Sequence, residues 1–544
     1  MSKRFVTTLL IVLAAIIFIV AVYFLILFLA PGLSLLGLRY IAKDARVAAE
    51  KGSLIEYIVN KDDSDEYNST DDIFYNVKGI KIITSEIPVN IITQGWDYEF
   101  DYYDNYNGFT TSKIKYPSIS IDYKDGFIII STEEFGKFIG EMYASERYLN
   151  VYIPSLVIGT NIGNKIDLEI ESKKSNIKFG KDGEDTSSAY FSNLKITTTG
   201  KFTTNSKLIA DTFDYTTNQR IDIKDGENVV DATNYILESR NGSININKAV
   251  RGYVTVKTNY GDIRLSDVGT TLTATTAHGN IYSSSKERFN VNGLVIISSK
   301  SGNVTIGKIL GKNGHSIINT HSGNVNISSL ENIEVETTRG SVDIKTLNKA
   351  KIITNLGKVT VEEVKESIDV NTKRGNIYLG EEEMVVNNVT AFSRLGKVFV
   401  YSATGTTNLE TVSGNIEFTN GDSDDITISC GGKLKATGLE GKVKIYSNKD
   451  ASLEFSDVSG DVTIDLSDKC YNASIICSNN TTDSVRYSLT GAHVEVYISN
   501  ETGGYTRASE GEEQNNQSNA SAPIIKLTSK YAQVKIYFQS SEIA

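Results

Sequence analysis

Two patterns of apolar and polar residues divide the chain. From Phe5 to Ala30 every residue is uncharged and nearly all are apolar, whereas from about Ile80 onward apolar and polar residues alternate in short runs. The first pattern predicts a helix of about 39 Å at about 1.5 Å per residue, long enough to cross a bilayer with some tilt. Lys3 and Arg4 precede it, and Pro31 and Gly32 close it. A cleaved signal peptide has a shorter apolar core and small residues at its cleavage site, so this run is expected to remain as a single-pass anchor. The second pattern has the period of strands, as in GIKIITSEIPVNIIT, PSISIDY, DGFIIIST and YLNVYIPS.

A repeat emerges near Tyr235. Twelve glycines (Gly242, Gly261, Gly279, Gly302, Gly323, Gly340, Gly357, Gly375, Gly396, Gly414, Gly441 and Gly460) are each followed two residues later by Val or Ile. All but one carry a second apolar residue at the fourth place, Ser283 being the exception. Five residues before each of the first ten stands an apolar residue, such as Ile297, Val335 and Ile352, and three before stands Ser or Thr, such as Ser299, Thr337 and Thr354. The spacings run from 17 to 27 residues, 18 being the commonest, and the longest separates Gly414 from Gly441. Each repeat is therefore expected to be one coil: strand, glycine turn, strand, return loop, with alternate residues inward. Glycine answers a need for positive φ or for close backbone approach. The stacked hydroxyls are expected to hydrogen-bond along their column. The fold class that follows is all-β, a single-stack β-solenoid with an N-terminal transmembrane helix.

The remaining segments fit around this stack. Residues 1–32 form the anchor. Leu35, Leu38, Ala42, Ala45 and Ala49 recur at helical spacing, so residues 33–79 are expected to hold a juxtamembrane helix ending near Gly52 and an acidic linker from Asp62 to Asp72. Residues 80–228 form an irregular N-terminal β region of the solenoid, and residues 229–499 the regular repeats. Within the former, Trp96, Tyr98, Phe100 and Tyr102 share one face of an alternating run, suited to packing a sheet or to stacking on sugars. Residues 500–523 are poor in apolar residues and are expected to be a disordered loop. Residues 524–544 resume alternation as capping strands.

Composition changes the picture mainly by exclusion. With 66 acidic and 55 basic residues the formal net charge is -11, which disfavours nucleic acid as a partner. Cys430, Cys470 and Cys477 lack metal-ligand spacing, and whether Cys470 and Cys477 pair is left open. None of His278, His315, His321 and His493 falls in a metal motif; His278 and His321, beside turn glycines in equivalent parts of their coils, are expected to face solvent. No nucleophile elbow, phosphate loop or dinucleotide fingerprint stands in a strand-to-helix context, so neither catalytic residues nor a cofactor is expected.

One charge pattern stands out. Within two residues before and one after the turn glycines lie Arg240, Lys300, Arg339, Lys358, Lys373, Arg374, Arg394, Lys397 and Lys442, against few acids such as Asp262 and Asp461. If successive coils set them about 5 Å apart, each like-charged pair costs roughly 0.8 kcal/mol in water before screening. Two readings stay open: a solvated edge that keeps neighbouring stacks from pairing, or a track for an anionic polymer. Lys300, Arg339, Lys358, Lys373, Arg374, Arg394 and Lys397 are the candidate polymer-binding residues.

The stacked coils, with SGNVTI at Ser301 to Ile306 and RGSVDI at Arg339 to Ile344, together with the entry element YLNVYIPS and the following IDLEIESKKSNIKF, resemble the putative-adhesin β-solenoid family of bacteria over roughly Ile80 to Phe538. The resemblance implies a solenoid displayed outside the cytoplasm from a cell-membrane anchor and an adhesive or envelope-associated role. It supplies no catalytic residues. Flanking charge points the other way, since Arg39, Lys43, Arg46 and Lys51 outnumber Lys3 and Arg4. The expected function is thus a non-enzymatic surface or cell-envelope protein whose partners are the membrane, through Phe5 to Ala30, and an anionic wall glycan or another surface protein. A polymerising envelope scaffold and a polysaccharide-acting β-helix enzyme remain as alternatives.

Overall fold

The computed structural model is mostly β, 64% strand against 7% helix, and its strands stack as a β-solenoid, as the repeat predicts. It describes residues 3–29, 34–35, 38–41, 47–61, 70–105, 108–111, 118–133, 138–141, 146–155, 165–180, 188–226, 229–283, 291–309, 316–447, 449–478, 480, 485–499, 504–516 and 522–539. Contacts divide the chain into two units, Met1–Gly242 and Ser243–Ala544.

In the second unit the coils follow from the repeat. Val335, Val342, Ile344, Ile352, Val359 and Val361 are all buried, while Asp343 is exposed. Val342, Ile344, Leu347, Ala350 and Ile352 each lie in register with the corresponding residue of the next coil: Val359, Val361, Val364, Ile368 and Val370. The expected return loop is absent from these coils. A single strand, Val342–Thr354, runs from one turn to the next, as does Val325–Thr337. Leu347 and Leu330 supply a further inward position that lets the chain bend around the core while staying in the ladder. The extra residue of an 18-residue coil is taken up by a register shift after Leu347.

The turn glycines are required by close approach, not by backbone angle. Gly302, Gly323, Gly340, Gly357, Gly375 and Gly396 all lie outside the positive-φ region. Each stacks on the glycine of the coil before, so that a Cβ on Gly357 would stand 1.8 Å from the carbonyl oxygen of Gly340. Several buried hydroxyls bond along their column, as expected, but to backbone, as where Ser393 Oγ donates to the Gly375 carbonyl of the coil before at 3.0 Å. Instead of bonding one another, most accept the N–H of their own turn glycine, as at Gly340 to Thr337 Oγ1 (2.9 Å) and Gly357 to Thr354 Oγ1 (3.0 Å). Thr320 and Thr411 rotate the other way and donate to the carbonyls of Gly323 and Gly414. This local bond satisfies the turn without help from a neighbour, so every coil needs its own Ser or Thr.

A second ladder runs beside the glycines. The Asn303 N–H donates to Asn280 Oδ1, that of Asn324 to Asn303 Oδ1, and that of Ser341 to Asn324 Oδ1, each at 2.9 Å. Asn after glycine thus joins consecutive coils. Asp262 and Asp461, the acids noted near the turns, do the same for the N–H groups of Asn280 and Ile524.

The last two glycines of the repeat belong to another corner. Leu434 pairs with Ile416, so the turn after Gly414 is at Gly432, 18 residues on. Val443 and Ile445 pair instead with Ile426 and Ile428. The 27-residue spacing therefore hides an ordinary coil whose turn is one residue shorter and whose hydroxyl is replaced by buried Cys430, stacked on Thr411. All three cysteines are free and buried.

At its C-terminal end this unit abandons chain order. Ile524–Thr528 pairs with Asp461–Leu466, and Gln533–Gln539 pairs with Asn472–Ser478. The other edges of both pair with Arg486–Ser499, which lies one layer further out. The outermost strand is Tyr505–Asn515, antiparallel to Arg486–Ser499. The expected disordered loop is thus a strand over that span. Its exposed, polar residues need no core because backbone pairing to Arg486–Ser499 and the ion pair of Arg507 with Glu495 hold it.

In the first unit a helix, Lys3–Leu29, contains a 19-residue stretch, Leu9–Leu27, of mean hydropathy 3.3, long and apolar enough to cross a membrane. Beyond it Ala42 and Ala45 of the expected juxtamembrane helix lie outside the described residues, and the described residues around them form strands Ser34–Leu35, Leu38–Ile41 and Val47–Ser53 in its place. The last lies antiparallel along Glu99–Asn105, so closing an open sheet edge overrides helical spacing. Helices appear later, at Leu54–Lys61 and Thr70–Asn76. Residues 62–69 of the acidic linker lie outside the described residues.

The parallel stack here runs Phe127–Glu133, Gly79–Thr84, Ile166–Ser172, Ala189–Thr197 and Leu208–Thr217. Ser118–Lys124 closes it as an antiparallel strand on Phe127–Glu133. Tyr98, Phe100 and Tyr102 are buried, as expected of a packed sheet face, but Trp96 is 82% exposed. It precedes the strand Glu99–Asn105 and follows Gly95, whose positive φ of 76° turns the chain.

Candidate functional site

Backbone pairing at the glycine turns decides how the candidate cations are arranged. The N–H of Arg339 donates to the His321 carbonyl, that of Leu356 to Thr338, and that of Arg374 to Asn355. In a parallel ladder this stacks Ser322, Arg339, Leu356 and Arg374 in one column. The bonds of Arg394 to Thr372 and of Leu395 to Lys373 put Lys373 beneath Arg394 in a second column, and Leu395 above Arg374 in the first. Lys358 and Lys397 occupy a third column, on the far side of the glycines, with Asn376 between them.

The edge is therefore not a single file of cations. Only Lys373 and Arg394 are neighbours in one column; elsewhere Leu356, Leu395 or Asn376 separates them. Self-repulsion is correspondingly smaller than a continuous row would give. Leu356 and Leu395 are each 49% exposed, so the edge is mixed cationic and apolar. Lys397 is ion-paired with Glu417 and lies 5.3 Å from the Phe399 ring. Lys358 Nζ stands 4.6 Å over the ring of Tyr378, a contact worth about 0.5–1 kcal/mol at an exposed site. Arg339, Lys373, Arg374 and Arg394 are exposed and make no ion pair among the described residues. At Lys358 and Lys397 a cation replaces the asparagine that would extend the ladder to the next coil.

Lys300 stands apart from this group. Below it in the column is Ala277 and above it His321. It lines an open groove of about 440 Å³ with Lys257, Thr275, Ser298, His321 and Glu336. Small residues at Thr275, Ala277 and Ser298 leave the space. His278 and His321 are exposed, as expected, but not equivalent. His321 stacks on Lys300, whereas His278 lies one column over, its ring 5.3 Å from that of Tyr260 and its Nδ1 3.1 Å from Ser301 Oγ. Lys442 is at the corner of Val443, paired with Asp425 and Asp461 in register, and does not join the edge. Arg240, exposed, is in the first unit.

Sequence motifs gave no metal site, yet His493, Glu495 and Glu510 bring possible ligand atoms within 4.8 Å of one another. Other partners already engage the carboxylates. Glu495 accepts the Tyr497 hydroxyl at 3.0 Å and ion-pairs with Lys535 at 3.2 Å and Arg507 at 3.3 Å, while Arg507 also reaches Glu510 at 2.6 Å. The Tyr497 hydroxyl first, then Lys535 and Arg507, hold the Glu495 carboxyl below its ordinary pKa. The cluster functions as a clasp between the last strands. Pairing signals of this kind span separate strands and leave no motif in the sequence.

No family model matches this chain, and no curated protein matches it. A solved structure, described as a putative cell adhesion protein from Clostridium sporogenes, aligns with 55% of this chain and 99% of its own at 10% identity and a TM-score of 0.18. That likeness is too slight to bear on function, and the solenoid rests on the strand pairing above.

Proposed function

We propose that this chain is a non-enzymatic surface or cell-envelope protein, held by Lys3–Leu29 and displaying its coils outside the cytoplasm, with the edge from Arg339 to Lys397 as its contact for an anionic polymer. The observation that carries the proposal is the grouping of Arg339, Lys358, Lys373, Arg374 and Arg394 at successive turns of a chain whose net charge is -11, with exposed leucines among them. Ion-paired cations stabilise a fold; these are held out by the turns without carboxylate partners among the described residues. The resemblance of the G-N-V/I coils to the putative-adhesin β-solenoid family supports the same reading. An acidic wall glycan presents charge at regular intervals and suits contacts spaced by coils about 4.8 Å apart.

The test uses the full chain in nonionic detergent with purified anionic wall glycan. Binding is expected at low salt and should fall steeply as salt rises, because the attraction is between exposed charges. Changing Arg339, Lys358 and Arg374 together to Glu should abolish binding with the fold retained by circular dichroism. Wild-type binding by that triple variant would refute the assignment.

A further inference from the structure

The edge just described borders a second feature of opposite charge. Beyond the three-residue strands Ile377–Leu379 and Val398–Val400 the chain turns another corner. There Glu381, Glu382 and Glu383 stand in sequence, all exposed, in a turn closed by the Met384 N–H on the Glu381 carbonyl at 3.1 Å. Glu362, from the coil below, lies close enough to Glu381 for that charge, after burial, to raise its pKa, with Lys345 acting in the opposite sense. None of the three turn glutamates has an ion-pair partner among the described residues. Met384 and Val385, exposed beside them, match the exposed Leu356 and Leu395 of the basic edge. Between the two corners lies a narrow strip carrying Tyr378 and Phe399, whose rings are 6.2 Å apart.

One face thus bears cations with two leucines along one border and glutamates with Met384 and Val385 along the other. Turned by a two-fold rotation, such a face is complementary to itself: each basic border meets an acidic border, and the aromatic strip meets its own copy. We propose that this face docks onto the same face of a second copy of this chain. The proposal rests on the reading of the basic edge as a contact surface, and assigns that surface a partner beyond the anionic polymer.

Size sets the strength. Four coils at about 4.8 Å and about six residues at about 3.3 Å give a patch roughly 20 Å on a side, or about 800 Å² buried over both copies. That is below the roughly 1,200–2,000 Å² of stable complexes, so the pairing is weak, concentration-dependent and sensitive to salt.

The experiment is sedimentation of the full chain in nonionic detergent, at about 50 mM and about 500 mM salt, across a range of concentrations. Wild type should dimerise with increasing concentration at low salt and dissociate at high salt. Two charge-reversed variants, one with Arg339, Lys358 and Arg374 changed to Glu and one with Glu381, Glu382 and Glu383 changed to Lys, should each be monomeric where wild type dimerises. Mixed in equal amounts they should regain a dimer containing one of each, since the two reversed borders then meet with opposite charge, as do the two unreversed ones. A wild type that stays monomeric at low salt, a dimer shared by all variants, or a mixture no more associated than its components would overturn the inference. Glycan binding by a monomeric wild type would leave the proposed function standing while this inference fell; a dimer restored by mixing, without glycan binding, would do the reverse.

Discussion

Between Gly302 and Gly396 every coil stacks on the one just before it in the chain; beyond Asp461 this stops being true. The middle region uses one solution repeatedly: inward Val and Ile, a buried hydroxyl for the glycine N–H, and glycine on glycine at the turn. The C-terminal region places Ile524–Thr528 and Gln533–Gln539 beneath strands that precede them in sequence and closes with an antiparallel strand. The first unit behaves likewise at its own edge, where Ser118–Lys124 and Val47–Ser53 run antiparallel to their neighbours. A parallel ladder can be continued by any matching strand, and an antiparallel polar strand interrupts that continuation. Such antiparallel closure disfavours end-to-end growth and leaves the flanks, where the charged face lies, open to partners.

The largest effect expected is in the middle region. Val342→Asp buries a charge between Val325 and Val359, its register partners, and should cost about 3–5 kcal/mol in chemical denaturation. Asp343→Ser, one residue along and exposed, should change stability by no more than about 0.5 kcal/mol. Similar losses from both would mean that the inward register is wrong. Gly357→Ala comes next, at about 2–4 kcal/mol, because the methyl group meets the Gly340 carbonyl oxygen at 1.8 Å and two coils must separate. If the coils were held apart by more than the close approach described, this variant would be nearly neutral.

A smaller, local effect is expected at the C-terminal clasp. The Glu495 carboxyl has a depressed pKa in the fold, so its stabilisation is present above its ordinary value near 4.5 and is lost as pH falls through the depressed value. Protection of the Tyr505–Asn515 amides, corrected for the intrinsic pH dependence of exchange, should therefore fall at acid pH before that of the middle coils, and Glu495→Gln should remove much of that pH dependence. A uniform loss of protection across the chain would contradict a locally held strand.

These regions also differ in how far the sequence discloses them. Where chain neighbours are spatial neighbours, period two and the recurring glycine place Val335, Val342 and Ile344 correctly. The inward position of Leu347 escapes because it falls at a bend where alternation is broken. Gly432 escapes because Cys430 stands in place of the hydroxyl residue and the turn is one residue shorter. The polar strand Tyr505–Asn515 gains its order from backbone pairing and the Arg507–Glu495 ion pair instead of from burial, so apolar content misjudges it. The cations at the turns are visible in sequence, but their separation into three columns follows only from the hydrogen bonds between coils.

Whether the stack closes by strands taken out of chain order can be measured with paired cysteines. Thr463 and Lys526 are exposed and directly opposite each other in the ladder, and Lys526 is in turn opposite Ser488. A chain carrying Thr463→Cys and Lys526→Cys should form a disulfide under mild oxidation, whereas Thr463→Cys with Ser488→Cys, two layers apart at about 9.6 Å, should not. Rapid cross-linking of the second pair with none of the first would mean that Arg486–Ser499 stacks directly on Asp461–Leu466, and the out-of-order closure would be wrong.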